Sequence, residues 1–269
     1  MVNNTDFRRL IKEDWNAYYA IDKVIFQGDE MDKDSYFRRV EQDGSFGLFI
    51  GSELVGWLHL ARFGDDEAHL GRIGVAPKYQ GQGYGNILMD HAIAWCNEQG
   101  GINTINLYTQ HDNYTAQGLY KKFNFAVTGT AWHHFVPLNS LQPLGKYTCQ
   151  DINEAEIDVV SEKYEGFPAA QIRKFLKDER YNVLTLKNRD GNIIGACRFT
   201  SGFPGCFPFI IDIPEAFDDF ITGLKPYSQP EFDYVRITYT DLPEVAKICE
   251  QRGYKLHHKL FKLSLRLHK

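Results

Sequence analysis

The sequence predicts an α/β protein with a mixed sheet, laid out as two successive lobes of the same plan. Two observations carry this. Short β-branched and aromatic runs alternate with stretches of helical period, and the order of elements in the first half recurs in the second. A third observation sets the halves apart. Only the first contains a glycine-rich turn between a strand and a helix, Gln80-Gly81-Gln82-Gly83-Tyr84-Gly85. Glycines at alternate positions let consecutive backbone N–H groups converge at a helix start, a ready site for a phosphate-bearing ligand.

Taken in order, Phe7–Ile11 reads as a strand, and Asp14 as the cap of a helix bearing Trp15, Tyr18, Tyr19 and Ile21. An acidic loop, Gly28–Asp32, leads to a second helix through Tyr36, Phe37 and Val40. A hairpin follows over Phe46–Ile50 and Leu54–Leu60, then a strand ending at Pro77. After the glycine turn a helix begins near Asn86, with Leu88, Ala92, Trp95 and Cys96 on one face, and Gly100-Gly101 ends it. Thr104–Thr109 is a strand, Asn113 opens a helix reaching about Phe123, and two strands fill Phe125–Val136. Residues 1–136 form the first lobe, 137–146 a linker and 147–269 the second lobe.

Composition narrows the function. The chain is 43% hydrophobic and 24% charged with a net charge of −5, which provides no broad basic surface for nucleic acid. No apolar run is long enough to span a membrane, and the first residues lack a signal-peptide layout. Five scattered cysteines without a C-x-x-C pair fit reduced thiols in a cytoplasmic protein, and no metal-binding spacing occurs. His133 and His134 are adjacent on a strand, so they point to opposite faces and cannot chelate together.

Two blocks carry a resemblance. Gln80–Gly85 has the form Q/R-x-x-G-x-G/A between strand and helix, and Asn113–Phe125 supplies a second block on the next strand and helix. In this order and separation they are similar to the Gcn5-related N-acetyltransferase (GNAT) superfamily over about residues 5–136. The resemblance implies an acetyl-CoA-dependent N-acetyltransferase. Ile73, Gly74 and Val75 would bond the pantetheine arm as an added strand does. Gln80, Gly81, Gln82, Gly83, Tyr84, Gly85 and Asn86 would cradle the pyrophosphate.

Asn113, Ala116 and Tyr120 share one helix face. Asn113 would bond the pantetheine, Ala116 would let the cofactor pass, and Tyr120 would protonate the departing thiolate. The Val75 N–H is the implied oxyanion donor. Where the family often has a carboxylate, six residues before Val75, this chain has His69, with Glu67 on the same strand face. Both are candidate bases, and Glu30 is a third. Asn113 is also the residue type of an ordinary N-cap, and Tyr120 that of a half-buried core aromatic.

The second lobe repeats the elements without this chemistry. Pro77 and Asn113 are 36 positions apart, whereas Pro214 and Leu242, their counterparts, are 28 apart. The glycine turn is what is missing. Leu242 and Cys249 stand where Asn113 and Tyr120 stand in the first lobe. The acceptor expected is a primary amine of a small molecule or peptide, with no nucleic acid or membrane partner, the protein being a monomer or homodimer. The competing readings are a non-catalytic acetyl-CoA sensor and an O- or S-acyltransferase on the same fold.

Overall fold

The structure is a computed structural model that describes residues 5–267. It resolves into two compact units, one holding residues up to Val127 together with the segment from Leu263 onward, the other Thr128–Lys262. This division differs from the lobes read off the sequence. The strand that closes the first half in sequence lies mostly in the second unit, and a segment from the second half returns to the first.

In the first unit, strand β1 (Thr5–Arg9) pairs antiparallel with β2 (Ser45–Ile50), β2 with β3 (Glu53–Phe63), and β3 with β4 (Glu67–Val75). Strand β4 runs parallel to β5 (Thr104–Gln110). Helices α1 (Trp15–Ile25) and α2 (Lys33–Val40) cover one face, where Tyr18, Tyr36, Val40, Leu54 and Trp57 form a buried cluster. Helix α3 (Tyr84–Glu98) covers the other, with buried Leu88, Met89, Ala92 and Cys96, and α4 (Tyr114–Lys122) follows β5. Asp14 does not cap α1. Its carboxylate instead accepts from the Ile11 N–H (3.0 Å) and from both Arg8 terminal nitrogens (2.7 Å each), and Arg8 holds it below the ordinary carboxylate range against the opposing effect of burial. The cap that does form is Asp32 on α2, which accepts from Ser35 N–H at 2.8 Å.

Residues 126–137 make one strand, β6 (Ala126–Pro137), where two were expected. The register explains why no turn is needed. β6 pairs without interruption from Ala131 to Pro137 against β11 (Tyr234–Thr240) of the second unit. Strands β7 (Thr148–Asp151), β8 (Tyr181–Lys187), β9 (Ile193–Thr200) and β10 (Gly205–Ile211) pair antiparallel in succession, and β10 pairs parallel with β11. Helices α5 (Glu154–Lys163) and α6 (Ala169–Phe175) enclose one buried cluster. Helices α7 (Phe217–Gly223) and α8 (Pro243–Gln251) enclose a larger one containing Phe209, Phe217, Phe220 and Tyr239. The final strand, β12 (Lys255–Arg266), begins in the second unit and ends in the first.

The stretch expected to be a linker is fixed in place. Asp218 and Asp219 on α7 accept from the backbone N–H groups of Gln142 (2.7 Å), Leu144 (2.8 Å) and Lys146 (3.2 Å). Three peptide donors that would otherwise need water are thereby satisfied.

His133 and His134 do face opposite ways. His134 is buried, with Nδ1 3.0 Å from the Tyr239 hydroxyl, and burial lowers its pKa from 6.5 to about 4. Between those values the unfolded chain binds a proton that the folded chain refuses, so stability rises with pH there. Lowering the pH from 6.5 to 4 is expected to remove up to about 3 kcal/mol through this group alone. Urea denaturation across that range should show His134→Gln with a correspondingly flatter pH dependence; an unchanged slope would refute the assignment.

Candidate active site

The site is organised by what β4 does after Leu70. Its pairing with β5 runs from Glu67↔Thr104 to Leu70↔Leu107 and stops, although β4 continues to Val75 and β5 to Gln110. On its other edge β4 stays paired with β3 as far as Gly56↔Val75. The register with β3 shifts where the divergence begins, from Leu60↔Leu70 to His59↔Arg72, which leaves Gly71 as an extra residue. A bulge bends the strand that carries it, and here it turns β4 away from β5.

The opened edge exposes backbone donors. Ala76 N–H donates to the Val55 carbonyl at 2.8 Å. Amides along a strand point alternately to either side, so the Gly74 N–H also faces β3 while those of Ile73 and Val75 face the space that β5 has left. Gly74 itself is fixed by packing. A Cβ there would stand 2.8 Å from the Trp57 ring and 3.2 Å from Ile25.

Beyond Val75 the chain makes a tight turn at Pro77–Tyr79 and is tied back by Gln80, whose Nε2 donates to the Val75 carbonyl (3.0 Å). Gln82 Nε2 donates to the Lys78 carbonyl at 2.8 Å. Gly81 and Gly83 take φ values of +74° and +92°, and no atom lies within 4 Å of where their Cβ would be. Both therefore need the left-handed region and stand beside open space. Gly85 differs. It has ordinary φ, and a Cβ there would meet Leu119 of α4 at 3.3 Å, so its smallness serves helix packing. Helix α3 starts at Tyr84, two residues earlier than expected, and the Asn86 N–H already donates to the Gly83 carbonyl at 3.0 Å. Asn86 thus brings a side chain, not an amide, to the turn. The Tyr84 ring is buried beside Tyr79 (centroids 5.7 Å apart), which leaves its backbone as the part facing the turn.

On α4, Asn113 Oδ1 accepts from Ala116 N–H at 3.0 Å, so the residue is an N-cap. Its Nδ2 takes no part in that cap bond. Ala116 is half-buried and Tyr120 only 6% exposed, its ring 6.0 Å from that of Phe125. Burial pushes the Tyr120 phenol up to about 12, so it is protonated throughout the physiological range. Gln117, which the sequence reading passed over, donates through Nε2 to the carbonyls of Gln110 (3.1 Å) and His111 (3.0 Å) and so fixes the turn between β5 and α4.

His69 and Glu67 lie on the α1–α2 face of β4, both half-buried. The His69 ring is 5.9 Å from Tyr108, and Glu67 Oε2 accepts from Asn106 Nδ2 at 3.0 Å. Along an extended strand, at about 3.3 Å per residue, His69 is up to about 20 Å and Glu67 up to about 26 Å from Val75. The acidic loop is stapled, not poised. Glu30 Oε1 accepts from Gly28 N–H at 2.9 Å, and backbone donors hold its carboxyl below its usual range.

Two residues missed from sequence anchor that loop. Fully buried Asp22 on α1 pairs with Arg72 of β4 (2.9 Å) and accepts from Met31 N–H (2.8 Å). Arg72 Nη1 donates to the Asp29 carbonyl at 3.0 Å, and the guanidinium lies 3.9 Å over the Phe26 ring. Desolvation raises the Asp22 pKa, and the Met31 N–H and Arg72 oppose it. The nearest sequence signal was an acid on an aromatic helix face, which reads equally as a solvated turn of helix.

With that geometry in place, known proteins supply its kinship. Residues 6–125 match the model of the acetyltransferase (GNAT) family. Residues 6–125 belong to that family. This makes the chain an acyltransferase of a fold family that uses acetyl-CoA. A Bacillus subtilis protein named as a ribosomal protein bS18 alanine N-acetyltransferase is 27% identical over 139 residues, which is 48% of this chain and 85% of that protein. A holothin acyltransferase from a Pseudoalteromonas species is 26% identical over 173 residues, 62% of this chain and 56% of its own length. Among solved structures, a GCN5-related N-acetyltransferase from Sphaerobacter thermophilus aligns over 98% of this chain and 96% of its own, with TM-score 0.72 at 14% identity. A tandem GNAT protein of clavulanic acid biosynthesis aligns over 99% of both chains with TM-score 0.68 at 12% identity. These two share the fold. No helix among the described residues is long and apolar enough to cross a membrane.

The second unit keeps the outline of the cleft. β10 pairs with β11 only at Gly205↔Arg236 and Cys206↔Ile237, although both strands run on. Trp132, Phe209, Phe217, Tyr239 and Leu242 belong to one packed cluster there. Strand β10 passes through Pro214 directly into α7, and no residue between Ile211 and Gly223 has positive φ.

The close fit at Gly74 gives a direct test. Gly74→Ala is expected to lower the unfolding free energy by about 1–3 kcal/mol, because its methyl enters the Trp57 ring space. Gly118→Ala, in α4 with open space around it, should instead add about 0.5–1 kcal/mol. Equal urea midpoints for the two variants would refute the packing argument.

Proposed function

We propose that this protein transfers an acetyl group from acetyl-CoA to a primary amine, with the chemistry confined to the first unit. The observation that carries the reading is the open edge of β4. What supports it is that the Ile73 and Val75 N–H groups face away from β3, that the glycine turn follows β4, and that the Asn113–Tyr120 helix follows β5.

The residues fit such a cosubstrate. Gly81 and Gly83 leave clear the space a pyrophosphate needs, and the amides from Gly81 to Gly85 lead into the positive end of α3. Ile73 and Val75 would bond the pantetheine amides as a neighbouring strand does, with Asn113 Nδ2 adding a donor. Acetyl-CoA supplies an acyl carbon activated by a thiol leaving group. The N–H of Val75 or Ile73 donates to the carbonyl oxygen as negative charge grows on it. Tyr120 donates to the departing sulfur. A phenol near 12 binds its proton more tightly than a thiol near 8.5, so its main contribution is a hydrogen bond that strengthens as the thiolate forms.

The acceptor must arrive neutral. For a lysine-like amine at pH 7 this costs about 4–5 kcal/mol, and for an α-amine about 1 kcal/mol. The relative named for alanine N-acetylation acts on an amine of the second kind, which favours a peptide or small-molecule α-amine here. His69 is the base in this reading, and its distance along β4 means the amine proton reaches it through a chain of several waters. Glu67 lies further back and supplies charge. The second unit has no such glycine turn and takes no part in the chemistry in this reading.

Release of CoA thiol with a panel of peptides and small amines tests the activity. Tyr120→Phe is expected to lower kcat by roughly 10²–10⁴ with acetyl-CoA affinity within about twofold of wild type. Gly83→Asp should weaken acetyl-CoA binding by at least about tenfold in calorimetry, through backbone strain and like charge. Wild-type kcat in the first, or wild-type affinity in the second, would refute the role concerned. Binding without thiol release from any amine would favour the sensor reading.

A further inference from the structure

The Glu67–Asn106 hydrogen bond is part of a longer polar chain in the first unit. Ser264, on the last turn of strand β12, donates its hydroxyl to Asn106 Oδ1 at 2.6 Å, and Asn106 Nδ2 donates to Glu67 Oε2 at 3.0 Å. Asn106 is only 8% exposed, and Leu267 N–H anchors the same segment by donating to the Asn103 carbonyl at 2.8 Å.

The direction of every bond in this chain is determined. An ionised carboxylate accepts only, so Asn106 must turn its NH₂ to Glu67. That presents Oδ1 to Ser264, which must then donate. A buried amide held at both ends has one orientation, and it fixes the carboxylate it bonds.

Asn106 sits opposite His69 in the β4–β5 register, and Glu67 is two residues from His69 on the same strand face. Two cations stand near that imidazole. Arg72 shares its strand, with Asp22 neutralising it at 2.9 Å. Arg39 of α2 reaches in beside Gly71. A Cβ on Gly71 would be 3.0 Å from Arg39 Nη1 and 3.6 Å from the His69 ring. From β5 comes the neutral Tyr108, 5.9 Å away ring to ring, and from β3 the uncharged Ala61 lies opposite His69. Glu67 is the anion on the strand itself that favours the imidazolium.

We propose that Asn106 and Ser264 are positioning residues for the reaction, holding the Glu67 carboxylate where it supports a protonated His69. This rests on the reading of His69 as the base. It also makes β12 part of the working site, since without Ser264 the Asn106 amide loses the partner that orients it.

The test reads His69 directly and needs no acceptor. The imidazole is titrated by NMR in the full-length protein, its signals assigned by their loss in His69→Gln. Glu67→Gln is expected to lower the His69 pKa by about 0.5–1 unit. Asn106→Ala and Ser264→Ala should each lower it by roughly half as much, while Ser264→Thr, which keeps the hydroxyl, should match wild type. Wild-type titration in both alanine variants alongside a shifted Glu67→Gln would overturn the positioning role. An unshifted Glu67→Gln would overturn it as well, since Glu67 would then not act on His69. Should Asn106→Ala fail to fold, Ser264→Ala and Ser264→Thr decide the matter between them. Undiminished thiol release by His69→Gln would instead remove His69 as base, an outcome separate from the titrations.

Discussion

Much of the first unit follows from a single mismatch between neighbours. Strand β4 keeps its partnership with β3 to Val75 and abandons β5 after Leu70. Backbone donors are rarely left without a partner, so an unpaired strand edge within a folded protein is a place where a ligand can stand in for a strand. The extra residue at Gly71 bends β4, and the Asp22–Arg72 pair just beyond it ties the strand to α1 and the acidic loop. The glycine turn follows one of the two diverging strands and α4 the other.

How far this could be read from the sequence depended on how local the cause was. The turn at Gly81–Gly83 and the face shared by Asn113, Ala116 and Tyr120 are set by residues close in the chain, and both stand where the spacing placed them. Even there the side-chain detail was finer than the pattern. Gly85 is small because of Leu119, and the oxygen of Asn113 is committed to its own helix. The partners brought together by folding left no local trace. Asp22 and Arg72 are 50 positions apart, and Asn106 and Ser264 are 158 apart. Periodicity marks a residue as facing a core but does not say which distant residue it meets there.

β6 shows the same limit at the scale of a whole strand. Its alternation is clear toward its end, where His134 and Val136 are buried and His133, Phe135 and Pro137 are less so. Nothing in that alternation names β11 as the partner. Two strands were expected before a linker, and a single strand, Ala126–Pro137, is found. The second unit also has parallel central strands that pair over only two positions, beside a buried cluster that includes Phe209, Phe217 and Tyr239.

The return of the segment from Leu263 to the first unit bears on how the chain is made. A nascent chain that has emerged through Val127 lacks Ser264 and Leu267, which bond Asn106 and Asn103 and come more than a hundred positions later. Contacts of such long sequence separation form late, because the entropy of closing the loop must be met before they contribute. The first unit therefore acquires its last strand segment, and the hydrogen bonds that Ser264 and Leu267 make to it, only after the second unit has been synthesised.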